Sequence, residues 1–276
     1  MDRLVFGTAG IPHCTKNPKT DEGIKEVQRL GLSAMELEFV HSVNISAQKA
    51  PNIKNIAKAH NVTLTCHGQY YINLNAKESE KIKASCERII KAGTIASLCG
   101  AYSLCFHAAF YLGQPKNDVY GAVKKNLQEI SETLTSAGYS IWIRPETTGK
   151  ESQFGTLDEI LSLSSEIDHV MPCVDFAHLH ARSNGSYNSY KDFYTTFEKI
   201  ENVLGKEGLN NMHIHVAGID YGQKGEKKHL NLLESDLNYR TLLQSFKDFS
   251  ICGVVISESP NIEGDSILMR DYYNEL

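Results

Sequence analysis

Eight short runs of apolar and β-branched residues recur along the chain, separated mostly by longer stretches with helical spacing. Strands that alternate with helices imply parallel strands whose connections cross outside the sheet. Eight such units make up a (β/α)8 or TIM barrel, which is the fold we predict; an open, doubly wound sheet is the alternative. The predicted strands cover residues 4–7, 34–40, 62–67, 102–107, 140–146, 169–175, 211–216 and 253–258.

The intervening stretches carry helix signals. Thr20 is the expected N-cap of the first helix, and Thr156 followed by Glu159 predicts a capping box. No low-complexity linker divides the chain, so we expect one domain over residues 1–276. The predicted helices cover residues 20–31, 77–100, 117–138, 156–166, 187–205 and 235–250, with a closing helix from residue 265.

Composition narrows the class of protein. The net charge of −5 argues against a general polyanion-binding surface, which would usually be basic. The seven cysteines form no CxxC pair or regular framework, and neither a signal peptide nor a long apolar run is visible. We therefore expect a reduced, cytoplasmic protein that does not enter a membrane.

Histidines and carboxylates recur where the predicted strands end. In a barrel of this kind, functional residues lie at the C-terminal ends of the strands. Clustered carboxylates would repel one another there, and a divalent cation removes that problem. Imidazole and carboxylate ligands together suit Zn²⁺, Mn²⁺ or Fe²⁺, so we predict a metal centre. The candidates are His67, His107, Glu146, Asp175, His178, His213, His229 and Glu258, and spacing alone does not exclude His215.

Strand alternation also orients nearby residues. Cys105 and Cys173 share faces with His107 and Asp175, so we expect them inside the barrel as small apolar fillers rather than ligands. Arg144 shares a face with Glu146 and could either orient that carboxylate or be structural.

Seven motifs in this order resemble the endonuclease IV family of apurinic/apyrimidinic endonucleases, and in particular its archaeal members. Each motif is weak alone, but their order and spacing are specific, and they span nearly the whole chain. They are CHGQYYINL (66–74), FHAAFYLG (106–113), RPETTGK (144–150), CVDFAHLHA (173–181), MHIHVAG (212–218), GEKKHLNL (225–232) and ISESP (256–260).

The resemblance implies a xylose isomerase-like barrel with two or three zinc ions. His67 and His107 would hold one ion, and Glu146 would bridge it to a second ion held by Asp175, His213 and Glu258. His178 and His229 would hold the third. Lys227 stands where the family has an aspartate ligand, and Glu226 is the candidate substitute. His180 has no ligand role in the family pattern.

The implied reaction is hydrolysis of the phosphodiester 5′ to an abasic site in double-stranded DNA, which leaves a 3′-hydroxyl and a 5′-deoxyribose phosphate. Glu146 and Glu258 would be the catalytic carboxylates. Tyr70 and Tyr71 would enter the gap left by the missing base, or else pack against the next helix. The basic KGEKK stretch (224–228) would contact phosphate or remain a solvated loop. The family further suggests a monomer.

Two other classes of function remain open. A sugar isomerase or epimerase of the xylose isomerase-like group needs one metal ion, for which Glu146, Asp175, His213 and Glu258 would suffice. Such an enzyme does not need His67, His107, His178 and His229 together. The third class is a DNA- or sugar-binding barrel without catalytic activity.

Overall fold

The computed structural model describes residues 1–276, and eight parallel strands form its central sheet. Each strand overlaps one of the predicted runs, which confirms these predictions. We number them β1 to β8 in chain order: Leu4–Ala9, Ala34–Glu38, Thr63–His67, Ser103–Phe106, Trp142–Pro145, Cys173–Asp175, Met212–Val216 and Gly253–Ser257.

The order of strands around the sheet follows the chain. β1 pairs with both β2 and β8, so the first and last strands are neighbours. The remaining edges, β5 and β6, are joined by two parallel bridges, Ile143 with Val170 and Glu146 with Cys173. The sheet is therefore a nearly closed barrel, as predicted, and the open doubly wound sheet is excluded.

Nine helices accompany the strands. The predicted helices are present, and two were not predicted: α2, and α6, which is too short for a periodic signal. The capping box at Thr156 and Glu159 is confirmed. The N-cap prediction for Thr20 is wrong, because Lys19 takes that position and makes no side-chain cap. The helices α1 to α9 are Thr20–Arg29, Ala50–Ala59, Ser79–Leu98, Lys116–Ser136, Leu157–Glu166, Phe176–Arg182, Tyr190–Asn210, Tyr239–Asp248 and Glu263–Glu275.

The main apolar core lies between the sheet and the surrounding helices, as in other parallel sheets that are covered on their outer face. Two small antiparallel ladders extend the loops at the C-terminal ends of the strands. One is the hairpin of Gly218–Gly222 with Gly225–Leu230, and the other pairs Ala109–Phe110 with Gln153–Phe154. None of the helices is both long and apolar enough to cross a membrane.

Candidate metal centre

The C-terminal ends of the strands surround a cavity of about 510 Å³. Because β3 ends at His67, and because His107, Glu146 and Glu258 directly follow β4, β5 and β8, these four side chains meet at the same end of the barrel. We call this region the mouth. Its cavity is also lined by Glu38, Tyr70, Lys150, His178, Glu226 and His229.

Glu146 lies at the centre of the mouth and is fully buried. Its Oε2 is 3.4 Å from Nε2 of His67 and 3.4 Å from Nε2 of His107. Its Oε1 is 3.3 Å from Nδ1 of His178 and 3.2 Å from Nδ1 of His215. The two oxygens of one carboxylate therefore face two different groups of imidazoles, which is the arrangement of a bridging ligand.

Asp175 joins β6 to α6 within the VDFAHLH stretch and thereby sets the position of His178. It is the N-cap of α6, and its Oδ1 accepts a hydrogen bond of 2.6 Å from the backbone N–H of His178. This cap starts the helix directly after β6 and turns His178 back towards the mouth, where Nδ1 lies 3.3 Å from Asp175 Oδ2. Thr147, in the loop after β5, also fixes the position of Asp175. Its hydroxyl accepts a hydrogen bond of 2.8 Å from the backbone N–H of Asp175.

His178, His229 and Asp175 form the outer part of the mouth. Each offers a donor atom within 4.8 Å of the other two. Nδ1 of His229 is also 3.8 Å from Oε2 of Glu258. The residues assigned to a third ion thus lie together, next to those assigned to the second.

A β-bulge in the hairpin decides which residue joins them. Asp220 pairs with Lys228, whereas its neighbour Tyr221 pairs with Glu226, so Lys227 is the extra residue. The bulge turns Glu226 into the mouth, with Oε2 3.6 Å from Nε2 of His178. Lys227 is exposed and its Nζ lies 3.2 Å from Oδ1 of Asp220.

His213 does not reach Glu146, and His215 takes the place that the family pattern gave to His213. In the ladder between β6 and β7, Asp175 is level with His215, whereas His213 is level with Cys173, two residues deeper. His215 Nδ1 lies 3.3 Å from Oε1 of Glu258. Each of four residues offers one possible ligand atom within 4.8 Å of the other three: Glu146, Asp175, His215 and Glu258.

Arg144 and His180 have structural roles. Arg144 is fully buried at the N-terminal end of the barrel, where its guanidinium donates to the Pro172 carbonyl at 2.7 Å and to the Asn211 carbonyl at 2.8 Å. It ties β5 to the starts of β6 and β7 and does not orient Glu146. His180 contacts the Tyr187 carbonyl and Asp236 Oδ1, each at 3.0 Å, away from the mouth.

Two glutamates on β2 belong to this region although the sequence interpretation did not include them. Glu36 is buried inside the barrel, and Glu38 lines the mouth cavity. Burial, together with the charge of Glu36, raises the pKa of Glu38 to about 8. The available signal was the AMELE pattern, in which two carboxylates alternate with apolar residues and so share the barrel-facing side.

Aromatic side chains flank the mouth. Tyr70 and Tyr71 follow β3 and are 62% and 61% exposed. Although largely exposed, the Tyr70 ring lies edge-on to that of His67, with 5.7 Å between centroids. Phe110 and Leu112, in the loop after β4, are also exposed. The rim thus presents flat apolar surface directly beside the buried polar cluster.

The buried groups at the mouth fit divalent cations. Oε2 of Glu146, Oδ2 of Asp175 and Nε2 of His229 are buried and lack hydrogen-bond partners. Unpaired buried polar atoms are costly, and here they lie among further donors of the same kind. Such convergence of carboxylate and imidazole atoms suits Zn²⁺, Mn²⁺ or Fe²⁺.

Protonation equilibria at the mouth agree with this chemistry. Burial opposes ionisation of Glu146, but the neighbouring His107 and His215 hold its pKa well below the usual range. Burial, with the charges of Glu258 and Glu146, raises the pKa of Asp175 well above its usual value. Burial opposes protonation of His67, yet the contact with Glu146 raises its pKa to about 10. Without a cation, the proton on His67 therefore offsets the charge of the ionised Glu146.

The fold and this cluster define a (β/α)8 barrel with a candidate metal centre at the C-terminal ends of its strands. The sequence profile of the xylose isomerase-like TIM barrel family matches residues 24–272, and the chain belongs to that family.

Related proteins carry two kinds of description. A Methanocaldococcus jannaschii protein described as uncharacterized is 44% identical over 99% of this chain and 98% of its own. A probable endonuclease 4 of Buchnera aphidicola is 26% identical over 54% of this chain and 53% of its own. Two solved structures share the fold, each with a TM-score of 0.74. Endonuclease IV from Thermus thermophilus is 17% identical, and the match covers 99% of this chain and 100% of that chain. A D-tagatose 3-epimerase-like protein is 18% identical, and the match covers 97% of this chain and 96% of that chain.

Proposed function

We propose that the protein is a metal-dependent phosphodiesterase that hydrolyses double-stranded DNA 5′ to abasic sites, in the manner of endonuclease IV. The observation that carries this proposal is the number of donors at the mouth. Beyond the four that one ion needs, the mouth holds His67, His107, His178, His229 and Glu226 in continuous contact with Glu146 or with one another.

The donors divide into three overlapping groups. His67 and His107 face Oε2 of Glu146, His215 faces Oε1, and Asp175 and Glu258 complete one donor set with Glu146 and His215. His178, His229 and Glu226 form the outer group, with Asp175 shared. Bound in these groups, zinc or a similar cation would act as a Lewis acid and neutralise charge that develops on a phosphate.

The protein's own side chains would position the substrate. Glu258 borders the cavity, with 13% of its side chain exposed, and can accept a proton at Oε1 or orient a water molecule. Tyr70 and Tyr71 offer aromatic surface to fill the gap left by a missing base. Lys150, on the cavity wall, supplies a positive charge for a phosphate in an otherwise acidic protein.

A sugar epimerase or isomerase is the second candidate. Glu146, Asp175, His215 and Glu258 form a compact set that would suffice for one ion. The mouth cavity of about 510 Å³ is also large enough for a small molecule. In that reaction, however, the additional histidines at the mouth would have no evident role.

The deciding experiment is incision of a duplex oligonucleotide with one tetrahydrofuran abasic analogue. The analogue blocks β-elimination, so only hydrolysis can cleave it. We expect cleavage 5′ to the analogue by protein of measured metal content, and loss of cleavage in Glu146→Ala. If metal-replete protein leaves the duplex intact but interconverts ketohexose epimers, the sugar enzyme is correct.

A further inference from the structure

Beneath the mouth, the barrel interior contains a second group of metal-binding residue types. We call Glu36, Cys105, Cys173 and His213 the inner cluster; all four are fully buried. The thiols were expected as apolar fillers. A filler role does not explain why a carboxylate and an imidazole are buried against them, since isolated polar groups are costly in a core.

The separations within this region match those between ligands of one ion. Cys105, Cys173, His213 and His215 each offer a donor atom within 4.8 Å of the others. Glu36 Oε2 is 3.1 Å from Nε2 of His213 and 3.5 Å from Sγ of Cys105. Around tetrahedral zinc, sulfur and nitrogen ligands lie roughly 3.5 Å apart, because the bonds are about 2.3 and 2.0 Å long.

The polar atoms of the inner cluster are also incompletely paired. Ser103 Oγ contacts Nδ1 of His213 at 2.9 Å and thereby orients the ring. The other ring atom, Nε2, has no directed hydrogen bond, although Oε2 of Glu36 lies only 3.1 Å away. A nitrogen and an oxygen atom that lie close together without a directed hydrogen bond are expected where both direct lone pairs at the same cation.

His215 separates the inner cluster from the mouth. Its Nδ1 faces Glu146 and Glu258, and its Nε2 lies 3.0 Å from Oε1 of Glu36. One imidazole can therefore serve the mouth with Nδ1 and donate its Nε2–H towards Glu36, as ligating histidines commonly do towards a carboxylate. Glu36 Oε2 remains available to the thiols and His213.

We propose that the inner cluster is a second cation site, which binds Zn²⁺ or Fe²⁺ through Cys105, Cys173, His213 and Glu36. Four protein donors leave no open position, so this ion is structural rather than catalytic. Binding requires the thiols to lose their protons to solvent. The site does not depend on which reaction the mouth performs.

X-ray absorption spectroscopy of the zinc-loaded wild-type protein tests this proposal without any variant. We expect a sulfur shell at about 2.3 Å in addition to nitrogen and oxygen neighbours. After replacement by Co²⁺, the protein should show thiolate-to-cobalt charge-transfer absorption in the near ultraviolet. Metal-replete protein without sulfur neighbours would overturn the proposal, as would a Cys105–Cys173 disulfide found by mass spectrometry.

Variants assign the signal to the inner cluster. Cys105→Ala and Cys173→Ala should each abolish the charge-transfer band and lower the metal content by about one equivalent. His107→Ala, which removes a donor at the mouth, is the matched control and should keep the band. A band that survives in both cysteine variants, or that disappears in His107→Ala with the fold intact, would contradict the assignment.

Discussion

Glu226 Oε2 lies 3.6 Å from Nε2 of His178, so a glutamate adds a second carboxylate, besides Asp175, to the outer part of the mouth. The endonuclease IV pattern has an aspartate at the position that Lys227 occupies here. The bulge at Lys227 places the preceding carboxylate, that of Glu226, on the inner face of the hairpin, where it lines the mouth.

Glu226→Gln should therefore lose about one equivalent of metal, because a neutral amide is a much poorer ligand than a carboxylate. Elemental analysis of purified protein measures this. Lys227→Ala is the matched control, since its ammonium faces solvent, and its metal content should not change. Full metal content in Glu226→Gln would remove this residue from the candidate centre.

Substitution of the two β7 histidines should have unequal effects on incision. His215→Asn should reduce turnover by more than about 100-fold, since loss of outer-shell partners alone typically costs 10–100-fold. His213→Asn should have a smaller effect, because its ring does not reach Glu146. Single-turnover incision of the tetrahydrofuran duplex compares them, and equal losses would contradict the distinction in depth between these residues.

Metal affinity at the mouth should rise with pH. The pKa of His67 is raised to about 10, so this ring holds a proton at neutral pH, and burial raises the pKa of Asp175, so this carboxyl keeps its proton to a higher pH than usual. A cation must displace these protons, and each one displaced strengthens binding about tenfold per pH unit. This dependence continues until the pH exceeds the raised pKa values. Chelator competition at pH 6, 7 and 8 measures it; equal affinities would be inconsistent with proton release.

Tyr70→Ala should weaken recognition of abasic DNA. Stacking of an aromatic side chain on a base contributes about 1–3 kcal/mol, so KM should rise roughly 5- to 140-fold. Tyr70→Phe retains the ring and should behave like the wild type. Because Tyr70 contacts His67, metal content is measured in parallel. An unchanged KM in metal-replete Tyr70→Ala would exclude the stacking role.

Arg144→Met should destabilise the fold without removing metal. The substitution leaves the buried carbonyls of Pro172 and Asn211 without their donor, at a cost of about 3 kcal/mol or more. Urea denaturation measures the free energy of unfolding, and elemental analysis measures the metal. Loss of metal from the folded variant would instead support a role in orienting Glu146.

The sequence alone determined the barrel and most of the residues that meet at its mouth. Strand alternation places inward side chains on every second residue, and parallel strands bring their C-terminal ends to one place. These two rules suffice to group His67, His107, Glu146, Asp175 and Glu258 from the sequence. Capping chemistry likewise identified the start of α5 at Thr156.

Only the tertiary structure decided the depth of each side chain along the barrel axis. Alternation gives the same face to His213 and His215, and to Arg144 and Glu146, but depth depends on how all eight strands are tilted and registered. That register places His215 level with Asp175 and His213 level with Cys173. The bulge that turns Glu226 inward also arises from pairing between strands, which a single strand's sequence does not specify.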